Sequence, residues 1–362
     1  MPTSTTNTAH AEHLPPVPYH PQYEALEEDE AQTTQELVET MRRISETVAA
    51  DEGRAYRSVH AKGHGIVHGT LEVLPLPPTL AHGLFAQPGS YPVTLRLSST
   101  PGDLVDDAVS TPRGLALKIY EVQGERLDPN DGLQEQDFVM INGPVFNAAS
   151  AKKFLQNLKL LAATTDKAPN AKKLLSAALR ALDSVAEKVG VDSATLKALG
   201  GHPATHPLGE TYFTQVPQLL GPYMAKFSLA PITPSLTALK DAPVDLSDSN
   251  ALRNAISSYF SSHGGEWELR AQLCVDVERM PIEDAAVEWP ETLSAYLPVA
   301  RIRIAAQPSW QAASSEQADN QLAFSPWRGL QAHRPIGSVM RVRRAAYAMT
   351  AAFRQQFNAD KT

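Results

Sequence analysis

The sequence predicts an α+β fold, and three observations lead there. Runs such as "YPVTLRLSS" (91–99) and "GLALKIYEV" (114–122) alternate apolar and polar residues with the period of a strand. Two segments, one near each end of the chain, instead carry apolar residues at helical spacing. Between them come strands, an inserted helical stretch and more strands. Elements grouped in blocks mark an α+β plan.

Residues 1–30 are polar and proline-rich, then acidic ("EALEEDE"), and read as an N-terminal tail, mobile or strapped across a surface. The remainder, 31–362, reads as one domain, since no repeat or long linker interrupts it. "DEAQTTQELVETMRRISETVAA" places Leu37, Met41, Ile44 and Val48 on one helical face. From Arg57 to about Phe146 strands dominate. Val93, Leu95 and Leu97 alternate with Thr94, Arg96 and Ser98, and Leu115, Leu117 and Ile119 with Ala116, Lys118 and Tyr120. Gly and Pro punctuate these runs, which suggests antiparallel connections. Two or three helices are expected over 149–200, around "AKKFLQNLKLLAA" and "AKKLLSAALRALDSVAEKVG". Strands return in "YMAKFSLAP", "WELRAQLCVDV" and "ARIRIAA", and a last helix runs from Ser338, a candidate N-cap, to about Phe357.

With 43% hydrophobic and 20% charged residues among 362, the chain can bury a sizeable core. Its net charge of −8 argues against nucleic acid or anionic membrane as the main partner. Cys274 is the only cysteine, so no intrachain disulfide forms, as expected in a reducing cytoplasm. No basic-then-apolar leader opens the sequence, and no apolar run approaches the roughly 20 residues of a membrane span. A cytoplasmic protein is expected.

The last helix carries the most informative spacing. In "MRVRRAAYAMTAAFRQ", Arg343 precedes Tyr347 by four residues and Arg354 follows it by seven, so all three share a face, with Ala346 and Ala351 nearby. Flanking guanidinium groups favour a phenolate, and tyrosine is a known axial ligand of haem iron. The same spacing also suits a basic amphipathic helix whose arginines face water. "RSVHAKGHG" adds His60, able to take and return a proton near neutral pH, beside Gly63 and Gly65, which permit close approach of a flat ligand. Taken alone, His60 fits a satisfied structural histidine better than a catalyst. The pairs in "HGIVH" and "HPATH" lack the regular helix an i, i+4 metal site needs.

Taken together these segments resemble the haem catalases. "RSVHAKGHG" resembles the distal-histidine motif, "VTLRLSST" the following strand, and "TPRGLALKIY" the family's Asp-Pro-Arg-Gly segment. "QDFVMINGPVF", "VEWPE", "ARIRI" and "RRAAY" resemble later family segments in the same order, from Arg57 to Arg354. The resemblance implies the catalase fold, an antiparallel eight-stranded β-barrel with surrounding helices, and a buried haem b.

It further implies His60 as the distal acid–base, Ser98 as its hydrogen-bond partner, Tyr347 as the iron ligand and Arg343 as the group that keeps Tyr347 ionised. Arg57, Arg96 and Arg354 would neutralise the haem propionates, Val59 would border the haem, and Phe154 would stack on it. The distal asparagine falls ambiguously: an ungapped match puts Ile141 there, with Asn142 one residue on, so only a bulge brings Asn142 into the pocket. The chain also ends soon after the proximal helix, without the family's wrapping segment and helical domain, which suggests a shorter channel.

The expected activity is therefore that of a minimal catalase-related haem peroxidase with some catalase activity. Hydrogen peroxide or an organic hydroperoxide would be the substrate, with an organic electron donor; a homo-oligomer is compatible. Alternatives are an allene-oxide-synthase-type converter of organic hydroperoxides, against which Val59 speaks, and a non-catalytic haem carrier.

Overall fold

The computed structural model describes residues 14–100, 102, 104–164 and 203–359. The alternating segments form strands β1 (Lys62–Val73), β2 (Ser90–Ser99), β3 (Arg113–Tyr120) and β4 (Glu135–Ile141), joined as an antiparallel meander. Further along come β5 (Tyr212–Phe213), β6 (Gln218–Leu220), β7 (Tyr223–Pro231), β8 (Gly265–Leu273) and β9 (Leu297–Ile304). β9 pairs with both β1 and β8, and β5 joins β4 to β7, so eight strands close into a barrel while β6 adds to β7. Closure leaves no long free edge to aggregate.

The apolar set of each strand points into the barrel. Val93, Leu95, Leu97, Leu115, Leu117 and Ile119 are buried together with Phe138, Phe227 and Leu269. Each such side chain contributes about 1.5–3 kcal/mol on burial. The polar set is buried too: Thr94, Arg96, Ser98 and Lys118 are each at most 4% exposed. Alternation in a sheet normally means one wet face, but here the outer polar side chains are covered as well, Arg96 by Asp319 and Lys118 by Glu135 and Asp137.

Among the described residues, the helices of eight or more are α1 (Glu30–Glu52), α2 (Ala151–Thr164), α3 (Ala251–Phe260), α4 (Ala312–Gln321) and α5 (Ser338–Ala359). Leu37, Met41, Ile44 and Val48 of α1 pack on Leu155 and Leu158 of α2 and on Val342 and Ala346 of α5, as the helical spacing requires. No helix among the described residues is long and apolar enough to cross a membrane. The second helical run expected over 149–200 lies outside the described residues.

One local expectation changes, and one left between two readings takes the second. Ser338 is the first residue of α5, not its cap: its amide donates to Glu283 Oε2 at 2.7 Å, so a distant carboxylate satisfies the helix start. The polar N-terminal stretch, where described, is a strap. Val17 N–H reaches Cys274 O at 2.8 Å and Tyr19 N–H reaches Pro222 O at 2.7 Å. Glu24 then accepts from Tyr19, Arg334 and Arg341.

Candidate active site

His60 sits just before β1 with φ +55°, a left-handed conformation that costs a residue with a Cβ roughly 1–2 kcal/mol. A bulge follows at His64, where the β1–β2 register slips between Gly63 and Gly65. Adjacent residues of β2 then take the two histidines: Ser98 Oγ lies 3.3 Å from His60 Nδ1, and Ser99 Oγ lies 3.0 Å from His64 Nε2. Because neighbours on a strand face opposite sides, the two histidines belong to different surroundings. His60 faces a cavity; His64 is buried against Ser99.

That cavity encloses about 650 Å³ including its mouth. Val59, His60, Arg96 and Ser98 line it from the β1–β2 side, and Tyr347, Thr350, Ala351 and Arg354 from α5. Leu115, Val139 and Phe324 also line it. Arg343 Nη2 donates to Tyr347 Oη at 2.7 Å, the bond that the four-residue spacing predicted. Ala351 clears the face beside Tyr347, whereas Ala346 turns into the helical layer against α1.

Electrostatics separate the roles of these groups. Burial, and then the nearby charges of Arg96, Arg343 and Arg57, push the His60 imidazole down to about 3, so it is neutral and able to accept a proton at physiological pH. Arg57 Nη1 and Arg96 Nε both donate to Asp319 Oδ1, at 2.7 and 2.5 Å, and Arg96 Nη2 donates to Oδ2 at 3.0 Å. Burial opposes ionisation of Asp319, but the guanidinium groups of Arg96 and Arg57 outweigh it and hold the carboxyl below the usual range. Arg354 Nη2 donates to Leu322 O at 2.6 Å, while its Nε is buried without a partner.

A haem carries two carboxylates on one edge and needs an axial donor on one face. Three guanidinium groups less one carboxylate leave two positive charges at the Arg57–Arg96–Arg354 cluster, enough for two propionates. Asp319 shows that the cluster accepts a carboxylate, and the orphaned Arg354 Nε still requires an acceptor. Tyr347 supplies an oxygen donor held by Arg343, and the residues present fit the group. Among the described residues, no cluster of three or more His, Cys, Asp or Glu offers a rival metal site.

The remaining expected residues lie elsewhere. Neither Asn142 nor Ile141 is on the cavity wall; Val139 and Met140 are. The β3–β4 register runs unbroken from Tyr120–Glu135 to Gly114–Ile141, so the bulge that would turn Asn142 inward is missing. Asn142 Oδ1 instead accepts the Arg113 amide at 2.8 Å, and its side chain also bonds Glu210. Phe154 sits in the helical layer, edge-on to Phe146 with centroids 5.1 Å apart, and lies off the cavity wall. The close approach at Gly63 and Gly65 is to protein, not ligand: a Cβ on Gly63 would meet Asp319 Oδ2 at 3.0 Å, and one on Gly65 would meet Ile256 at 2.9 Å. His68 of "HGIVH" bonds Thr94, away from His64, and His202 of "HPATH" is outside the described residues.

Sequence reasoning missed Asp319 and Gly114. Asp319 lies on α4, "AASSEQADNQ", which carries no apolar stripe to mark it. Gly114 had a signal, the glycine opening the alternation of "RGLALKIY".

No protein-family model matches the sequence, and no curated protein matches it. Solved structures do. A fungal catalase aligns with TM-score 0.59 and 16% identity over 86% of this chain and 62% of its own. For a bacterial catalase the values are 0.57, 18%, 85% and 60%, and for catalase A from Saccharomyces cerevisiae 0.58, 17%, 87% and 64%. The chain has the catalase fold, and it spans less than two thirds of the length of these structures.

Proposed function

We propose that the protein is a haem-dependent peroxide-cleaving enzyme, a peroxidase with some catalase activity. One observation carries the reading: a neutral, half-buried His60 bonded to Ser98 shares a cavity with Tyr347, whose oxygen accepts from Arg343. Tyr347 would ligate iron, with Arg343 stabilising its oxygen, and Arg57, Arg96 and Arg354 would hold the propionates. Val59 would border the haem distally, and Phe154 would support the proximal side through Phe146, which lies under Arg343. When bound, ferric haem b supplies a site for a peroxide oxygen and the electrons that break the O–O bond.

His60 does the proton work. With Nδ1–H donating to Ser98 Oγ, Nε2 carries the lone pair that takes the proton from the inner peroxide oxygen. The same proton returns to the outer oxygen, which departs as water from hydrogen peroxide or as an alcohol from an organic hydroperoxide. Two electrons and two protons, from a second hydrogen peroxide or from an organic donor, would complete the turnover and carry the remaining oxygen off as water. A haem carrier needs Tyr347 and the arginines but gains nothing from a strained histidine bonded to a serine, which favours the enzyme.

Hemin titration into the haem-free chain, followed by absorption, and peroxide consumption with and without a phenolic donor test this. Uptake of one hemin is expected. His60→Ala should keep it and lose turnover by about 10²–10⁴-fold, as for a positioned acid–base. A parent chain that takes up no hemin would end the reading.

A further inference from the structure

A second cleft shares Arg57 and Arg354 with the first. It is open to solvent and encloses about 470 Å³ when the space at its mouth is counted. Four arginines line it, Arg54, Arg57, Arg253 and Arg354, against the acids Glu316 and Asp319, in a chain whose net charge is −8. Arg57 belongs to Asp319, and Arg54 reaches Glu316 at 3.5 Å. Arg253 is different. Its guanidinium sits 4.2 Å over the Trp310 ring and its Nε and Nη2 donate to Gly63 O, yet among the described residues it has no carboxylate within ion-pair distance. Tyr56 adds a second aromatic ring, with Arg54 5.7 Å above it.

A half-buried guanidinium fixed on an indole is prepared for a planar anion, because stacking orders its donors before the ligand arrives. Aromatic walls select a ring, and the unpaired charge selects a carboxylate. We propose that this cleft binds a single-ring aromatic carboxylate, with its carboxylate on Arg253 and its ring against Trp310 and Tyr56. Resting on the peroxidase reading above, the bound acid is the electron donor, separated from the haem cavity by the shared Arg57 and Arg354. The balance closes for a phenolic acid. Two molecules each lose one electron and one proton, and together they reduce one hydroperoxide to an alcohol and water.

The test is calorimetric titration of 4-hydroxybenzoate into the full chain, haem-free and hemin-loaded, with 4-hydroxybenzyl alcohol as the uncharged comparator. Saturable, salt-sensitive binding is expected in both forms, weakened about tenfold or more by Arg253→Gln and by loss of the carboxylate, the worth of one charge-assisted hydrogen bond. Arg253→Lys, which keeps the charge, should retain part of the affinity; Trp310→Ala should lose it, with folding of each variant checked by thermal melting. Equal affinity in parent and Arg253→Gln, or no binding at roughly 10 mM ligand, a concentration well above micromolar affinities, overturns the assignment. So does unchanged KM for 4-hydroxybenzoate oxidation by hemin-loaded Arg253→Gln, which would send the donor through the first cavity. Binding to the haem-free chain is independent of hemin uptake and peroxide cleavage, so failure of the cleft and failure of the peroxidase reading are told apart.

Discussion

The imidazole of His60 lies against the bare α-carbon of Gly114: a Cβ built there would stand 2.5 Å from His60 Nδ1 and 3.0 Å from Ser98 Oγ. Both distances concern the same hydrogen bond, so the glycine makes room for the ring that the left-handed backbone at residue 60 aims at the cavity. Gly114→Ala should therefore displace His60. Peroxide turnover is expected to fall about 10²-fold, the scale of an ångström-sized misplacement, while hemin uptake is kept. Steady-state peroxide consumption by the hemin-loaded variant checks this, and parent-like rates would show that the ring tolerates the shift.

His60 titrates far from neutrality. Its folded pKa is about 3 against 6.5 for an ordinary histidine. Between those values the unfolded chain binds the proton and the folded chain does not, so this group's contribution to stability falls as pH falls. The slope is about 1.4 kcal/mol per pH unit in that window and vanishes above it. Denaturant titrations of the haem-free parent and His60→Gln from pH 8 to 4 should diverge below 6.5, the variant losing less stability. Parallel curves would mean that His60 is charged at mild acidity.

Asp319 joins Arg57 and Arg96 across most of the sequence. Asp319→Ala leaves the guanidinium groups of Arg57, Arg96 and Arg354 crowded without a carboxylate. Breaking a buried pair in this way costs about 3–5 kcal/mol. In the haem-free chain the melting temperature should fall accordingly. Hemin, bringing two carboxylates, should then raise the melting temperature of the variant by more than that of the parent. Equal increments would separate the propionates from this cluster.

Asn142 holds the Arg113 amide, so Asn142→Ala is expected to cost about 1–3 kcal/mol of folding stability by leaving that buried donor unsatisfied. Peroxide kinetics of the folded, hemin-loaded variant should match the parent. A selective loss of turnover at unchanged stability would place the amide in the reaction after all.

Period-two alternation in β2 and β3 and the apolar stripe of α1 were readable because each depends on chain geometry alone, in which residue spacing sets facing. The Arg343–Tyr347 bond was readable for the same reason, being one helical turn long. His60 was legible as a residue type in a motif, but its neutrality was not, since that comes from burial among Arg96, Arg343 and Arg57. The tertiary structure alone decided the rest. Which face of β4 meets the cavity depends on register with β3, and the regular register turns Asn142 away. Gly63 serves Asp319 and Trp310, more than 240 residues distant, and no local pattern encodes such a contact. Asp319 sits in a helix without an apolar face, and only the folded chain brings its carboxylate between arginines from the segment before β1 and the middle of β2. Local spacing determined the elements and one half of the site; long-range packing and the low dielectric it creates decided the charges.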